Sequence, residues 1–579
     1  MRKRISKVLI VLINIYSFFY FSLFVTDYSF LLPKGISNIT GFTIIFLFLL
    51  FVAWKFNKDN LSPASSLGSN LLLFRVIKAL AGLNDKALLL VIFMGLGILF
   101  CVLGMIRHIS LSTTAWDMGI FDQALWNTLQ GDILFSSIRG NMSLLGDHFE
   151  PILFLLVPVY ALFPHVFTLI VIQSFILSSS IFGLYLIAKD KLSSRFAIFA
   201  LLISFCLSKA LRGIALADFH PDSFLVPLSI FAFYFLAKFK KLLLAFSILL
   251  ILLCKETAVL IVIALGIYSC FTLKKIRLGL ILIVVGALSW LVETKVILPA
   301  FNSFGQYLFN VRMPFGETYW ENISFVMKHP LKLIELFFIP QKIIFYLKLL
   351  GQVGYLAFFV PSQYLLILIT SSIILLASRQ LHGYYMLTSH YAAHFLPFIF
   401  IATIYGLSNL AMILKKNKFF SNLKSTAIIK YLSIYILVMS LFFFSKADGY
   451  KFRRFIDGIR INKPFPKLKY LSLVPPQATV SATANLVPHL SHRKYIYDWD
   501  PESELSLKTD YVIIDLSATD YLSESSKAKV DSFLINMENY GFKRLVFNKE
   551  LSFFIFLNHK PDREFIEKYR ENRGIFGHE

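Results

Sequence analysis

Charge is what this sequence has least of. Only 16% of its 579 residues are Asp, Glu, Lys or Arg, while 57% are hydrophobic and the mean hydropathy is +0.69. Soluble globular chains carry about 25% charged and roughly 45–50% apolar residues, so a soluble multidomain enzyme is excluded. Cysteine is scarce too. Cys101, Cys206, Cys254 and Cys270 all lie in apolar stretches, with no CxxC pair and no spacing that implies a disulfide framework. The sequence holds no Walker A loop, no GxSxG elbow and no HExxH, which removes support for ATP hydrolysis and for the common hydrolase mechanisms. Acids within the apolar runs are too few to trace a proton path, which weakens a pump.

What is present is length of apolar chain. The 61 Phe residues suit lipid-facing helices, and a hydrocarbon core of about 30 Å needs roughly 20 apolar residues per helix. A basic start, Met1 to Lys7, precedes a run from Val8 to Val25; its length and the lack of a small-residue cleavage site point to an uncleaved anchor. Further runs fall near 41–54, 87–106, 166–188, 195–211, 223–238, 242–254, 257–273, 278–298, 341–360, 362–378, 395–414 and 428–445. The expectation is a polytopic α-helical membrane protein of about thirteen spans.

Lys and Arg outnumber Asp and Glu by 57 to 34, a net charge of +23. In a soluble protein such a surplus points to nucleic acid. Here it sits in short clusters between apolar runs: Lys55 and Lys58, Lys189 to Arg195, Lys238 to Lys241, Lys274 to Arg277 and Lys415 to Lys424. An N-terminus in the cytoplasm places every one of these loops inside, as the positive-inside rule requires. The lipid bilayer is therefore the expected partner, and nucleic acid is not. Segments 107–165, 212–222, 299–340, 379–394 and everything after about 446 then lie outside the inner membrane. The short apolar stretch Pro151 to Phe163 reads as an interfacial or re-entrant helix.

The domain expectation follows. Residues 1–86 form a transmembrane hairpin and cytoplasmic loop, and 87–445 form the membrane core with its external loop 107–165. Residues 446–579, which hold eighteen of the 34 acidic residues, form an extracytoplasmic α/β domain. Its pattern predicts strands at Thr479–Ala482, Tyr495–Tyr497, Tyr511–Asp515, Arg544–Phe547 and Ser552–Leu557, with helices at Asn485–Leu490 and Ser525–Tyr540. Lys560–Glu579 reads as a charged, fraying helix.

The chemistry concentrates in the external segments. Loop 107–165 carries Asp117, Asp122, Asp132, Asp147 and Glu150 interleaved with Trp116, Phe121, Trp126 and Phe149. A solvated loop is the bland reading. Acids held among aromatics at a membrane surface favour a site. Asp117 is also placed to cap a helix over Gly119–Leu129, and Asp147, His148 and Glu150 are candidate metal ligands. The second segment offers Arg212 for phosphate, with His220 and Asp222 to orient substrate or metal. A polar turn starting a helix at Pro221-Asp222 explains the same residues. Lys255 and Glu256 sit between two apolar runs, where ionisable residues mark function or neutralise each other. The last segment, with Arg379, His382, Tyr384, Tyr385, His390, Tyr391 and His394, suits a sugar or phosphate, or an interfacial Tyr belt.

Several of these strings resemble a known family. WDMGIFDQALWN followed by LLGDHFEPILFLLVPVYALFP, Gln173, FHPD at 219–222, the KE pair at 255–256, SHYAAHFLPFIF at 389–400 and VPPQATVSATANLVPHLSHRKYIY at 474–497 resemble, in order, the bacterial and archaeal membrane family called domain of unknown function 2079. The likeness spans roughly 87–560. That family is similar in layout to the GT-C glycosyltransferases, which use polyprenyl-phosphate sugars and place an acidic base or metal ligand in the first external loop of the core. The resemblance implies a glycosyltransferase with Asp117, and second Asp122, as catalytic acids. Asp147, His148, Glu150, Arg212, His220, Asp222, Lys255, Glu256 and His390 are then the substrate-binding candidates. A divalent cation is the cofactor left open, because the aromatic-flanked acids do not form a strict DxD. The runner-up is a non-catalytic transporter or sensor of lipid-linked glycans.

Overall fold

The computed structural model of the chain describes residues 82–302, 315, 319–372, 374, 386, 389–417, 420–501, 503–518 and 524–568. The expected spans at 8–25 and 41–54, and His382, Tyr384, Tyr385 and Arg379 of the last external segment, lie outside the described residues. So does the end of the chain beyond 568.

Helix α1 (Asp85–Ile109) is followed by a π-helical turn (Ala115–Gly119) that runs directly into α2 (Ile120–Leu129). A two-stranded antiparallel ribbon comes next, β1 (Phe135–Ser136) and β2 (Met142–Ser143). The ten-residue α3 (Leu153–Leu162) precedes α4 (Val166–Lys191). Then come α5 (Arg195–Cys206), α6 (Lys209–Leu216), α7 (Asp222–Ala237), α8 (Lys241–Leu252), α9 (Val259–Phe271) and α10 (Ile276–Val292).

Among the described residues five helices are long and apolar enough to cross a membrane: Asp85–Ile109, Val166–Lys191, Ile276–Phe301, Leu396–Lys416 and Ser425–Phe444. A sixth arises if α5 and α6, bent by 45° at their break, count as one span. The apolar runs expected at 223–238, 242–254, 257–273 and 362–378 appear as shorter helices of 10 to 17 residues. The run 341–360 is not one helix. It breaks after Gly351, with Gly354 and Tyr355 both at positive φ, and resumes as a 3-10 turn at Leu356–Phe359.

Apolar side chains coat the outside of this bundle. On α1, Leu90, Met94, Ile98 and Val102 are exposed, and on α10 Ile281, Val284 and Leu288 are. An aqueous protein does not leave such stripes bare, and lipid accounts for them. The helix that begins at Ser425 continues to Asn462.

The tail builds a five-stranded mixed sheet from β3 (Val480–Ala482), β4 (Ile496–Asp498), β5 (Tyr511–Asp515), β6 (Phe542–Asn548) and β7 (Phe553–Asn558), in the order β4-β3-β5-β7-β6. β3 runs parallel to β4 and β5, while β7 runs antiparallel to β5 and β6. Alternation of side chains along a strand serves both faces. Val512 and Ile514 pack with Phe533 of the helix Glu524–Asn536 and with Met537 just beyond it, whereas Ile513 and Ile555 join the core shared with the membrane helices. The segment expected to be helical at Asn485–Leu490 is a single 3-10 turn, Val487–His489.

The tail is stitched to the segment 107–165 that follows α1. The Ser137 hydroxyl donates to the Ile496 carbonyl (2.7 Å) and accepts the Ile496 N–H (2.8 Å). The buried Gln123 amide donates to the carbonyls of Arg493 and Lys494 (3.1 and 3.0 Å). Asn141 donates to the Ile566 carbonyl and accepts from the Tyr497 hydroxyl, each at 2.9 Å.

Candidate functional site

The site forms where helix ends meet. Gln173 of α4 is the strut: its amide donates to the carbonyls of Ile214, Ala215 and Ala217, each at 3.4 Å, and its oxygen accepts the His220 N–H at 2.9 Å. This fixes the turn from α6 into α7. Pro221 then starts α7, and Asp222 is its first residue. The link between α8 and α9 carries Lys255 and a 3-10 turn at Glu256–Ala258. The Ile152 N–H donates to the Leu253 carbonyl at 2.9 Å, which clamps the segment 107–165 onto that link.

Asp222 is fully buried, and among the described residues neither of its carboxylate oxygens accepts a hydrogen bond. Cationic and imidazole nitrogens surround it instead. Lys255 Nζ lies 3.5 Å from Asp222 Oδ2, His220 Nδ1 lies 3.4 Å from it and His390 Nε2 3.6 Å. The two imidazoles stack, with centroids 3.9 Å apart and planes at 11°. Burial pushes the His220 pKa well below the usual imidazole range and that of His390 down to about 3, so both rings are neutral. The Asp222 N–H donates to His220 Nδ1 (3.3 Å), so that nitrogen is the unprotonated one of the ring, and a cation bound there would take the place of this contact. The ligand atoms of His220, Asp222 and His390 all lie within 4.8 Å of one another. Two neutral histidines and one carboxylate are a donor set that suits a divalent transition metal.

Glu150 and Glu256 flank this group. Glu150 Oε1 lies 4.0 Å from Lys255 Nζ, and burial pushes its carboxyl well above the usual range. Glu256 contacts His148 Nδ1 at 2.9 Å and accepts the Phe149 N–H at 3.1 Å, so it shapes the GDHFE turn. Asp147 pairs with Arg139. His394 Nε2 lies 3.0 Å from the Thr257 hydroxyl, and Lys255 Nζ sits 5.9 Å from the centre of the Tyr391 ring.

Asp117 lies in the π turn ahead of α2. No side-chain cap bond forms there, and Thr114 occupies the N-cap. Burial pushes the Asp117 pKa up to about 7; the Asp218 charge adds to this, and Lys255, Arg107 and Arg139 oppose it. Asp218 is held by Arg107 and by the Thr114 N–H (2.7 Å) and hydroxyl (3.0 Å). Gly119 closes the turn where a Cβ would meet Val487 of the tail at 2.9 Å. π turns recur at functional sites because they re-aim side chains.

Asp122 belongs to a different set of contacts. Its buried carboxylate accepts from the Tyr160 hydroxyl (2.6 Å) and the Ser491 hydroxyl (2.5 Å), and His492 Nε2 lies 3.1 Å from Oδ2. With both oxygens engaged, it ties α2 to α3 and to the tail. Arg212 stacks over the Phe444 ring at 5.2 Å. The candidates that the structure gathers round one buried cation are thus Glu150, His220, Asp222 and His390, with His148 and Glu256 alongside. Sequence reasoning passed over Arg107 and Arg139. A basic residue in the last turn of a span, next to an acid-rich loop, was the signal for the first.

A family model for predicted membrane proteins, DUF2079, matches residues 107–547. The chain belongs to the DUF2079 family. The match covers the first external loop, the Lys255 link and most of the tail. No curated protein matches. Among solved structures the chain is similar to ArnT from Cupriavidus metallidurans bound to undecaprenyl phosphate, at 10% identity and a TM-score of 0.47, over 81% of this chain and 97% of that one. It is also similar to the apo state of that protein, at 11% identity and a TM-score of 0.43, over 80% and 98%.

Proposed function

We propose that this DUF2079 protein is a membrane glycosyltransferase that moves a sugar from a polyprenyl-phosphate donor to an acceptor hydroxyl on the extracytoplasmic face of the inner membrane. In this reading the N-terminus is cytoplasmic and the tail domain extracytoplasmic. The observation that carries it is a loop aspartate with a pKa raised to about 7 that feels the charge of a buried lysine. Asp117 titrates at about 7 within reach of the Lys255 charge, and Lys255 is only 2% exposed.

The chemistry asks for both. Asp117 takes the proton from the acceptor hydroxyl as that oxygen attacks the anomeric carbon, and a base with a pKa near the working pH does this best. The bond between anomeric carbon and phosphate oxygen breaks, and polyprenyl phosphate leaves with the extra negative charge. Lys255, fixed in a site poor in water, stabilises that charge. Glu150, whose carboxyl burial pushes towards the protonated form, lies beside Lys255 on the phosphate side. His220, Asp222 and His390 would hold a divalent cation, which supplies further charge neutralisation at the phosphate when bound. The apolar α3 lies against the interface and guides the lipid chain.

The test is transfer of labelled sugar from polyprenyl phosphate by purified protein in nanodiscs, wild type beside Asp117→Asn. The proposal expects transfer by the wild type and its loss in the variant, with donor binding kept. A protein that moves the lipid-linked sugar across the bilayer without cleaving it would be a transporter instead.

A further inference from the structure

A cavity of about 460 Å³ opens at the seam between the first external loop and the tail. We propose that it is the acceptor site and that it binds a neutral saccharide. The word acceptor rests on the glycosyltransferase reading; the saccharide binding does not.

The lining argues for that ligand class. Trp126 of α2 and Tyr495, just ahead of β4, supply two aromatic rings, while Gln130, Gln477 and Glu567 supply planar polar groups. Sugars present C–H faces that stack on aromatic rings and hydroxyl pairs that match amides and carboxylates. The volume falls in the range of small-molecule sites, roughly 300–1,000 Å³.

Charge speaks against an anion. The two basic residues in the wall are already matched: Lys494 pairs with Asp132 at 3.0 Å, and Arg563 with Asp510 at 3.4 Å. With Glu567 also in the lining, the wall carries no surplus of positive charge to draw a phosphate.

The cavity is also built rather than incidental. Trp126 packs partly buried against the main core and stacks with His492, centroids 6.0 Å apart and planes at 12°. His492 Nε2 in turn lies 3.1 Å from both Asp122 Oδ2 and the Tyr160 hydroxyl. Asp122 and Trp126 are four residues apart, hence on the same face of α2. Asp122 is thereby a positioning residue for the platform.

The experiment is donor-free saturation-transfer NMR and calorimetry on the full chain in nanodiscs. The probes are maltotriose, chitotriose and, as a different class, a triglycine peptide. The proposal expects saturable binding of at least one trisaccharide, weakened tenfold or more by Trp126→Ala and by less than threefold by Trp126→Phe. The thermal unfolding of both variants is followed so that a folding defect is seen as such. Failure of both trisaccharides to bind overturns the proposal. So does binding that Trp126→Ala leaves unmoved, or that appears for the peptide alone. Because no donor is present, a protein lacking transferase activity still gives a clear answer here.

Discussion

At Asp117 two pH dependences run in opposite directions. Its carboxyl titrates at about 7 in the folded protein against an ordinary 3.8, so the folded state prefers the proton. Its contribution to stability is complete below about pH 4 and is lost as pH rises through about 7. Catalysis needs the other form, so the transfer rate climbs with pH and levels off above about 7. Asp117→Asn removes both effects. The variant is expected to melt a few °C above the wild type at pH 8 and to lose this advantage towards pH 4, while its transfer rate falls by about 10²–10⁴. Differential scanning fluorimetry and rate profiles from pH 5 to 9 check the two halves separately. A second residue test is Lys255→Met, which strips the buried Asp222 of its ammonium neighbour and is expected to cost about 3–5 kcal/mol of stability, read by unfolding in detergent. The acid-rich, aromatic-laced loop was legible in the sequence, and its burial of Asp122 and Glu150 is seen in the structure. The shift at Asp117 was not, because it depends on burial and on Asp218, a hundred residues further along the chain.

Among the elements, the docking of the GDHFE turn is a close fit. A Cβ on Gly146 would lie 2.5 Å from the Phe301 carbonyl oxygen and 2.8 Å from the Asn302 nitrogen, at the end of the span Ile276–Phe301. The Asn302 side chain closes the contact by donating to the Gly146 carbonyl at 3.0 Å. Backbone cannot yield as a flexible side chain does, so Gly146→Ala is expected to destabilise by about 1–3 kcal/mol and to displace His148 and Glu150 with it. Unfolding in detergent measures the first effect, and a loss of donor affinity the second. Apolar runs predicted most helices here because composition alone decides what enters lipid. The break after Gly351 escaped that reading. Residues 341–360 are evenly apolar, but Gly354 adopts φ +65 where the Tyr435 ring fills the space of a Cβ, and Tyr435 comes from a distant helix. The tail strands were legible from their alternation, whereas the run near Asn485 lacked the length for more than a single turn.

For the whole molecule, the account places donor chemistry at the helix ends and acceptor recognition at the seam with the tail, joined by α2. Ser137 is the seam residue whose single hydroxyl serves two backbone groups of the tail. Ser137→Ala leaves both the N–H and the carbonyl of the buried Ile496 without their partner, at a cost of about 1–3 kcal/mol. Faster tryptic release of the tail is the expected result, with the membrane core intact. The cation site gives a further whole-protein readout: elemental analysis is expected to find about one divalent metal per chain in the wild type, and loss of it in Asp222→Asn, since two histidines alone make an incomplete set. The pairing across the seam joins residues more than 350 positions apart, which no local pattern announces. The most direct test of the central claim is incubation of the purified full chain in nanodiscs with a panel of radiolabelled polyprenyl-phosphate sugars, beside Asp117→Asn. The account predicts release or transfer of sugar by the wild type alone, with both proteins binding the donor. Equal binding with no bond cleavage in either protein would contradict it.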